Sequence, residues 1–425
     1  MVGENMKTRQ TSQSPRPRRG KWLRLVLVLG LFIVILLGGL VAIPVLSPAT
    51  GAALADDLRA IFGPEFVAQL ESTSFHIQDS INRARYQASG GQAQLNWAQG
   101  AVTTTLQLKR SAKAAPAQPM VVASAHPGAV ANPAPQAVVP LQSDVTAVTA
   151  PSPANLDWQD YGAEVNDTPI MARSFVKPDP DRPYAQAALV RIDLSQIQLH
   201  LVPGTVEPVV AKPIPGFKRP GIIPAVDQDP ELLAAFNGGF KAIHGHYGVM
   251  VNGITLLPPR DGLATIAQRP DGSIQIGEWG RDLTLNDNLT WYRQNCPLLV
   301  DGGQINPHVN DENRQEWGYT VKNLDTTWRS GLGISQDGRF LIYAAGNSLT
   351  VRSLAQALQQ AGAYYAMQTD INGFYTRFVT YRPADNPKAT GHSLAADKLL
   401  NEMSGDPALF LHPYDRDFFY ITLNQ

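Results

Sequence analysis

Between residues 25 and 46 the chain shows no alternation at all: LVLVLGLFIVILLGGLVAIPVL is apolar almost throughout. At about 1.5 Å per residue, a helix of this length crosses a hydrocarbon core of about 30 Å. Further on, the period becomes two. Val190, Ile192 and Leu194 alternate with Arg191 and Asp193, and Ile197, Leu199 and Leu201 alternate with Gln198 and His200, as half-buried strands require. Asp271-Gly272 and Asp337-Gly338 stand between strand-like runs and predict hairpin turns, where glycine accepts positive φ without steric cost. One segment has helical period. Val351, Leu354, Ala355 and Leu358 fall at i, i+3, i+4 and i+7, with Thr350 as N-cap and Gly362 just past the last turn. The apolar runs Phe340–Tyr343 before it and Tyr364–Met367 after it make a strand–helix–strand unit, so a parallel crossover in an antiparallel-rich sheet is expected. The fold class implied is α+β, a mixed β-sheet domain with packed helices.

Residues 52–90 carry a mixed helical period through Leu58, Ile61, Phe62 and Phe66, interrupted at Gly63-Pro64, and predict a short juxtamembrane helical region. From about Ser111 to Asn155 the composition shifts to Ala, Pro, Val and Ser with few charges; such a stretch buries no core and reads as an extended linker. The expected organisation is a basic tail (1–24), a transmembrane helix (25–46), a juxtamembrane region (47–110), a linker (111–155) and one domain (156–425). Lys7, Arg9, Arg16, Arg18, Arg19, Lys21 and Arg24 precede the apolar run against one acid, Glu4. The positive-inside rule keeps that end cytoplasmic and places everything after Leu46 outside. Ala53-Leu54-Ala55 has the shape of a signal-peptidase site, but the apolar run exceeds the usual signal core of about 7–15 residues, which favours an uncleaved anchor.

Composition narrows the chemistry. With 35 basic and 36 acidic residues the net charge is −1, which offers no field for a polyanion, so no nucleic-acid partner is expected. A single cysteine, Cys296, excludes an internal disulfide and a multi-thiolate metal site, and a buried thiol is its expected state. Three polar, glycine-bearing turns each follow a short apolar run: Asn237-Gly238-Gly239-Phe240, Asp301-Gly302-Gly303 and Asp370-Ile371-Asn372-Gly373. Each taken singly is an ordinary β-turn sequence, yet strand ends are also where sites form in open sheets containing parallel strands. Arg329, flanked by small residues in Trp328-Arg329-Ser330-Gly331, offers a planar fork for phosphate or carboxylate. His244 and His246 form an HGH pair able to hydrogen-bond a substrate; no third ligand stands at a metal-binding spacing, and neither a metal nor another cofactor is expected. Trp279, Trp291, Trp317 and Trp328 are assigned to the core.

Taken in order, these segments resemble a known family. NGGF at 237–240, GVMVNG at 248–253, PLLVDG at 297–302, RSGLGI at 329–334 followed by Asp337-Gly338, then the helix 350–362 and strand 364–370, are similar to the motifs of the phosphodiester glycosidases over roughly residues 184–382. Their order and spacing carry the likeness. The last motif departs from it: the family's LDGGGS turn reads Thr369-Asp370-Ile371-Asn372-Gly373-Phe374 here. The resemblance implies hydrolysis of a sugar from the phosphate on its anomeric carbon, through an oxocarbenium-like transition state. It implies Arg329 as the group neutralising the phosphate, Asp301 and Asp370 as the working carboxylates, and Asn237, Gly238, Gly239, His244, His246, Gly302, Asn372 and Gly373 around the substrate. The partner expected is a phosphorylated glycan, with the bilayer held through residues 25–46. Two rival readings stay open: a non-catalytic polysaccharide-binding module, and a structural envelope head on the same fold.

Overall fold

The computed structural model describes residues 57–59, 61–92, 97, 156–165, 167–228, 231–311, 316–318, 325–384 and 393–424. The tail 1–24, the apolar stretch 25–46 and the linker 111–155 lie outside the described residues; among those described, no helix is long and apolar enough to cross a membrane. The chain divides into two compact units, residues 1–74 and 75–425. In the first, Gly63 sits at φ +86° and donates to Arg59 O, ending a helical turn. Pro64 then opens helix α1 (Pro64–Ala88), where its missing N–H breaks no helical bond. The interruption read from Gly63-Pro64 is thus a helix boundary.

Among its described residues the second unit carries three sheets. In the first, β1 (Gln159–Val165), β2 (Thr168–Val176), β3 (Ala187–Asp193), β14 (Phe340–Leu349), β13 (Thr327–Ser335), β15 (Ala363–Asp370), β11 (Val300–Asp301) and β12 (Gln304–Ile305) lie side by side. The second is built from β7 (Ile254–Leu257), β6 (Val249–Val251), β10 (Trp291–Gln294), β8 (Ala264–Gln268) and β9 (Ile274–Glu278). The third orders β17 (Leu394–Lys398), β16 (Phe378–Pro383), β5 (Leu232–Asn237), β18 (Phe418–Leu423) and β4 (Ile197–Val202). Every described strand pair in these sheets is antiparallel.

The domain is therefore mostly β, which corrects the expectation of an α+β fold with packed helices. The physical reason is the scarcity of helical period after residue 156: helix α2 (Val351–Gln360) is the one described α-helix there, and the short apolar runs pair with one another instead. The crossover around α2 is present in altered form. β14 and β15 both pair antiparallel with β13, so they run in the same direction but with β13 between them. Both hairpins form as read, β8–β9 with Gly272 at φ +86° and β13–β14 with Gly338 at φ +71°. β3 and β4, contiguous in sequence, part into the first and third sheets.

Helix α2 begins with a reciprocal cap: Ser353 N donates to Thr350 Oγ1 (3.0 Å) and Thr350 N to Ser353 Oγ (2.8 Å). It packs Leu354 and Leu358 on β13 at Gly331, where an added Cβ would sit 3.0 Å from Leu358 Cδ1 and 2.7 Å from Met367 O. The first and third sheets meet through an aromatic cluster. Phe236 lies 5.7 Å from Phe378, 5.3 Å from Phe419 and 5.6 Å from Tyr343, ring centre to ring centre. Such pairs contribute about 0.5–1.5 kcal/mol each beyond the area they bury. This contact brings the C-terminal ends of β5 and β15 and the start of β18 to one place.

Candidate active site

Asn237, the last residue of β5, is buried and joins the two sheets at this place. Its Nδ2 donates to Ser330 Oγ on β13 (3.1 Å), Thr369 Oγ1 on β15 (3.2 Å) and Gly238 O (3.0 Å). Its Oδ1 accepts from Tyr343 Oη on β14 (3.1 Å) and from Arg377 N (3.0 Å). An amide has two donor hydrogens and two acceptor lone pairs, so the bonding capacity of Asn237 is taken up inside the protein. It positions; it does not face a ligand.

The two glycines that follow have an equally specific reason. Arg293 on β10 and Asp417, both buried, form an ion pair through Nε–Oδ2 (2.8 Å) and Nη2–Oδ1 (3.2 Å). Arg293 also donates to Gln294 O and Phe240 O, both at 2.7 Å. A Cβ on Gly238 would land on Asp417 Oδ2, and one on Gly239 would lie 2.7 Å from Arg293 Cζ. Gly238 N donates to Asp417 O and Gly239 N to Asp417 Oδ2 (3.2 Å). Those N–H groups are therefore already used.

Next to this pair stands a second one. Arg416 donates from Nη2 to Asp370 Oδ2 (3.0 Å) and to Gly239 O (2.8 Å), with the Tyr375 ring centre 4.0 Å from its Cζ. Asp370 Oδ1 accepts from Ile371 N (2.8 Å) and Asn372 N (2.9 Å), and Asn372 Oδ1 accepts from Phe374 N (2.9 Å), which folds the altered last turn. Gly373 admits the Trp328 ring, whose Cδ1 would lie 2.5 Å from an added Cβ. Burial pushes the Asp370 carboxyl above the ordinary carboxylate range, while Arg416 and the Asn372 and Ile371 N–H groups oppose that rise without cancelling it.

The other expected site residues lie elsewhere. Asp301 is half-exposed and bound by Arg281 through two hydrogen bonds of 2.7 and 2.8 Å. It follows Val300, which pairs antiparallel with Ala366, so Asp301 lies level with Tyr365, five positions before Asp370 along β15; at about 3.3 Å per residue, roughly 16 Å of strand separates the two aspartates. Gly302 and Gly303, at φ +57° and +79°, form the two-residue turn joining β11 to β12. Arg329 has no exposed surface and donates to Leu349 O (3.0 Å), Trp317 O (3.3 Å), Gln368 Oε1 (2.8 Å) and Asp325 O (3.4 Å). Burial pulls its guanidinium down to about 10. It fastens the loops around α2, on a different set of partners from Asp370.

His244 and His246 are exposed, His246 at φ +48° and His244 edge-on to Phe240. No group of three potential metal ligands occurs among the described residues. Cys296 is fully buried and its thiol is pushed up to about 12 by burial, which makes it inert. The structure thus joins Asn237, Gly238 and Gly239 to Asp370, Asn372 and Gly373, and leaves Asp301, Gly302 and Arg329 apart. Arg293, Arg416 and Asp417 went unread. The cue for two of them was the charged triplet Asp415-Arg416-Asp417 set directly before the apolar strand Phe418–Leu423, beyond the stretch that carries the motifs.

Residues 231–388 match the family model described as phosphodiester glycosidase, the family that the ordered motifs resemble. No curated protein matches the chain. Among solved structures, the zebrafish N-acetylglucosamine-1-phosphodiester alpha-N-acetylglucosaminidase catalytic domain, auto-inhibited by its pro-peptide, is similar at 15% identity and a TM-score of 0.39, covering 64% of this chain and 88% of that one. A hypothetical protein from Synechocystis is similar at 13% identity and a TM-score of 0.37, covering 62% of this chain and 64% of that one.

Removing one partner of a buried ion pair leaves the other charge desolvated, at a cost of about 3–5 kcal/mol. Asp417→Ala is expected to destabilise by that amount, and Gly239→Ala, whose methyl group displaces the Arg293 guanidinium, in the same direction. Urea unfolding followed by near-UV circular dichroism measures both. Wild-type midpoints for the two variants would show that the pair does not organise the NGGF turn.

Proposed function

We propose that the second unit hydrolyses a sugar-1-phosphodiester of an envelope or extracellular glycan, with Asp370 as the carboxyl that moves the proton. The observation carrying this reading is the buried Asp370–Arg416 contact, formed where the NGGF turn and the last family motif meet. A carboxyl with raised proton affinity beside a fixed cation is a recurring feature of acid–base sites. Protonated Asp370 gives its proton to the leaving phosphate oxygen as the bond to the anomeric carbon breaks and positive charge builds on the sugar. Water then adds to that carbon and returns a proton to the Asp370 carboxylate. The products are the free sugar and a phosphomonoester. Asp301, paired with Arg281 and distant along the sheet, has no part in this scheme.

The sign of the pH dependence follows from the direction of the Asp370 shift. The acid form is the working form, so kcat/KM holds on the acid side and falls as pH rises through the raised pKa. The test is release of sugar from a panel of sugar-1-phosphodiesters by the full-length chain. Asp370→Asn is expected to lower kcat by about 100-fold or more and to abolish that limb of the profile. Glycan binding without turnover on any member of the panel would leave the non-catalytic module as the better reading.

The chain is held in the membrane by residues 25–46 with the second unit outside, a reading supported by the Lys and Arg excess before the apolar run. The chain is expected to stay in the membrane fraction through alkaline extraction, and protease added to intact spheroplasts to digest the second unit. Recovery in the soluble fraction, or full protection from the protease, contradicts this.

A further inference from the structure

Arg293, Arg329, Arg377 and Arg416 are all buried, and three of them are well supplied with acceptors. Arg293 makes four hydrogen bonds from its three nitrogens, Arg329 makes four from its three, and Arg377 binds Ser404 O through Nε and Nη2. Arg416 is different. Both of its bonds run from Nη2, and its Nε is buried without any partner. A guanidinium carries five N–H donors in a planar fork that matches a tetrahedral anion, and an unmatched buried donor is costly. The residue is 4% exposed and its Nε is closed off from bulk solvent, so bulk water does not supply the bond missing there.

The groups around Arg416 point to what does. The Ile371 and Asn372 N–H groups are taken by Asp370 Oδ1, and those of Gly238 and Gly239 by Asp417, so the two glycine-bearing turns offer no backbone cradle at these positions. Tyr375 lies over the guanidinium and fixes its plane, and Lys241 Nζ is 5.6 Å from the centre of the same ring, which adds a second positive charge nearby. Asp370 holds its own loop with Oδ1 and touches Arg416 only with Oδ2. The Oδ2 contact can therefore be exchanged for another anion while the loop stays folded.

We infer that Arg416 is the ligand of the substrate's phosphoryl group, which displaces Asp370 Oδ2 from the guanidinium and leaves Asp370 to bind the proton that catalysis uses. This rests on the hydrolase reading and adds to it the residue that recognises the phosphate and the source of the acid form. The electrostatics agree. Asp370 is faced by Arg416, two residues before β18, and by Tyr343 from β14, with Arg377 near Tyr343; Tyr375, Tyr414 and Asp417 surround Arg416. The charge of Arg416 lowers the Asp370 proton affinity, so exchanging that contact for a phosphate oxygen raises the affinity further. An incoming anion and a protonated Asp370 then coexist without like-charge repulsion.

Titration calorimetry of the full-length chain in detergent, with inorganic phosphate in two buffers of different ionisation enthalpy, tests this. Wild type is expected to bind phosphate with uptake of up to one proton. Asp370→Asn, in which no carboxylate competes for Arg416, is expected to bind about 10-fold tighter with no proton uptake, although hydrolysis is lost. Arg416→Lys, which keeps the charge but not the fork, is expected to bind about 10-fold more weakly with an unchanged circular dichroism spectrum. No phosphate binding by wild type, or binding by Asp370→Asn that matches wild type in affinity and proton uptake, overturns the inference even if Arg416→Lys does not fold. Phosphate binding with proton uptake but no turnover of any phosphodiester sinks the hydrolase reading and leaves the anion site standing; turnover without phosphate binding does the reverse.

Discussion

The ion pair between Arg293 and Asp417 is the constraint on which the rest of the site depends. Both groups are out of water, and a buried pair is held only if geometry is good and the remaining hydrogen-bonding capacity is met. Gln294 O and Phe240 O meet it on the arginine side and Gly239 N–H on the carboxylate, while Gly238 N–H binds the Asp417 main-chain carbonyl. The polypeptide can bring those groups in only by passing so close that no Cβ fits at either glycine. One consequence is the path of the NGGF turn. Another is the orientation of the neighbouring residue: with Asp417 turned toward Arg293, Arg416 turns toward Gly239 O and Asp370. A structural pair thereby sets the position of a second, less satisfied one.

Much of this was legible in the sequence, and the reason for each gap is physical. The α2 cap, its glycine stop and the Asp-Gly hairpins were readable because local backbone chemistry decides them: Thr350 bonds Ser353 three residues on, and Gly272 and Gly338 take φ values that other residues resist. The convergence of residues 237–239 with 370–373 was readable through the ordered motifs. What local pattern does not encode is which face a side chain takes and which distant group it meets. Arg329 looked like a ligand because small residues flank it, yet Gly331 is small so that Leu358 of α2 can approach, and the guanidinium is enclosed by carbonyls. Asp301 looked catalytic because Asp-Gly-Gly ends an apolar run, but both glycines serve a two-residue hairpin. Fold class was misjudged for a similar reason: one strong helical period was given the weight of a class, while the many short strands found partners only in three dimensions.

The altered last turn takes on a definite meaning in this setting. A glycine-rich turn presents backbone N–H groups to an anion because nothing shields them. Here the N–H groups of Ile371 and Asn372 close back on Asp370, and Asn372 closes the next step of the turn onto Phe374. The loop is thus held by its own side chains at Ile371, Asn372 and Phe374. On the proposed reading, recognition of a phosphate passes from backbone to side chain, to the Arg416 guanidinium, whose Nε is buried without a partner. The missing glycines and the underused arginine are two aspects of one rearrangement.

Asp370 itself shows what such an arrangement costs the fold. A carboxyl whose pKa is higher in the native than in the unfolded chain binds its proton more tightly when folded, so its contribution favours the native state below the ordinary carboxylate range and is lost as pH rises through the native value. Near neutrality the buried carboxylate is therefore a burden, eased by Arg416 and two backbone N–H groups. A site selected for stability alone would replace both partners with packed apolar side chains, which are often neutral or favourable in such positions. Keeping a burdened acid next to an unsatisfied cation makes physical sense only where an incoming anion relieves both at once, by matching the cation and letting the acid take up its proton.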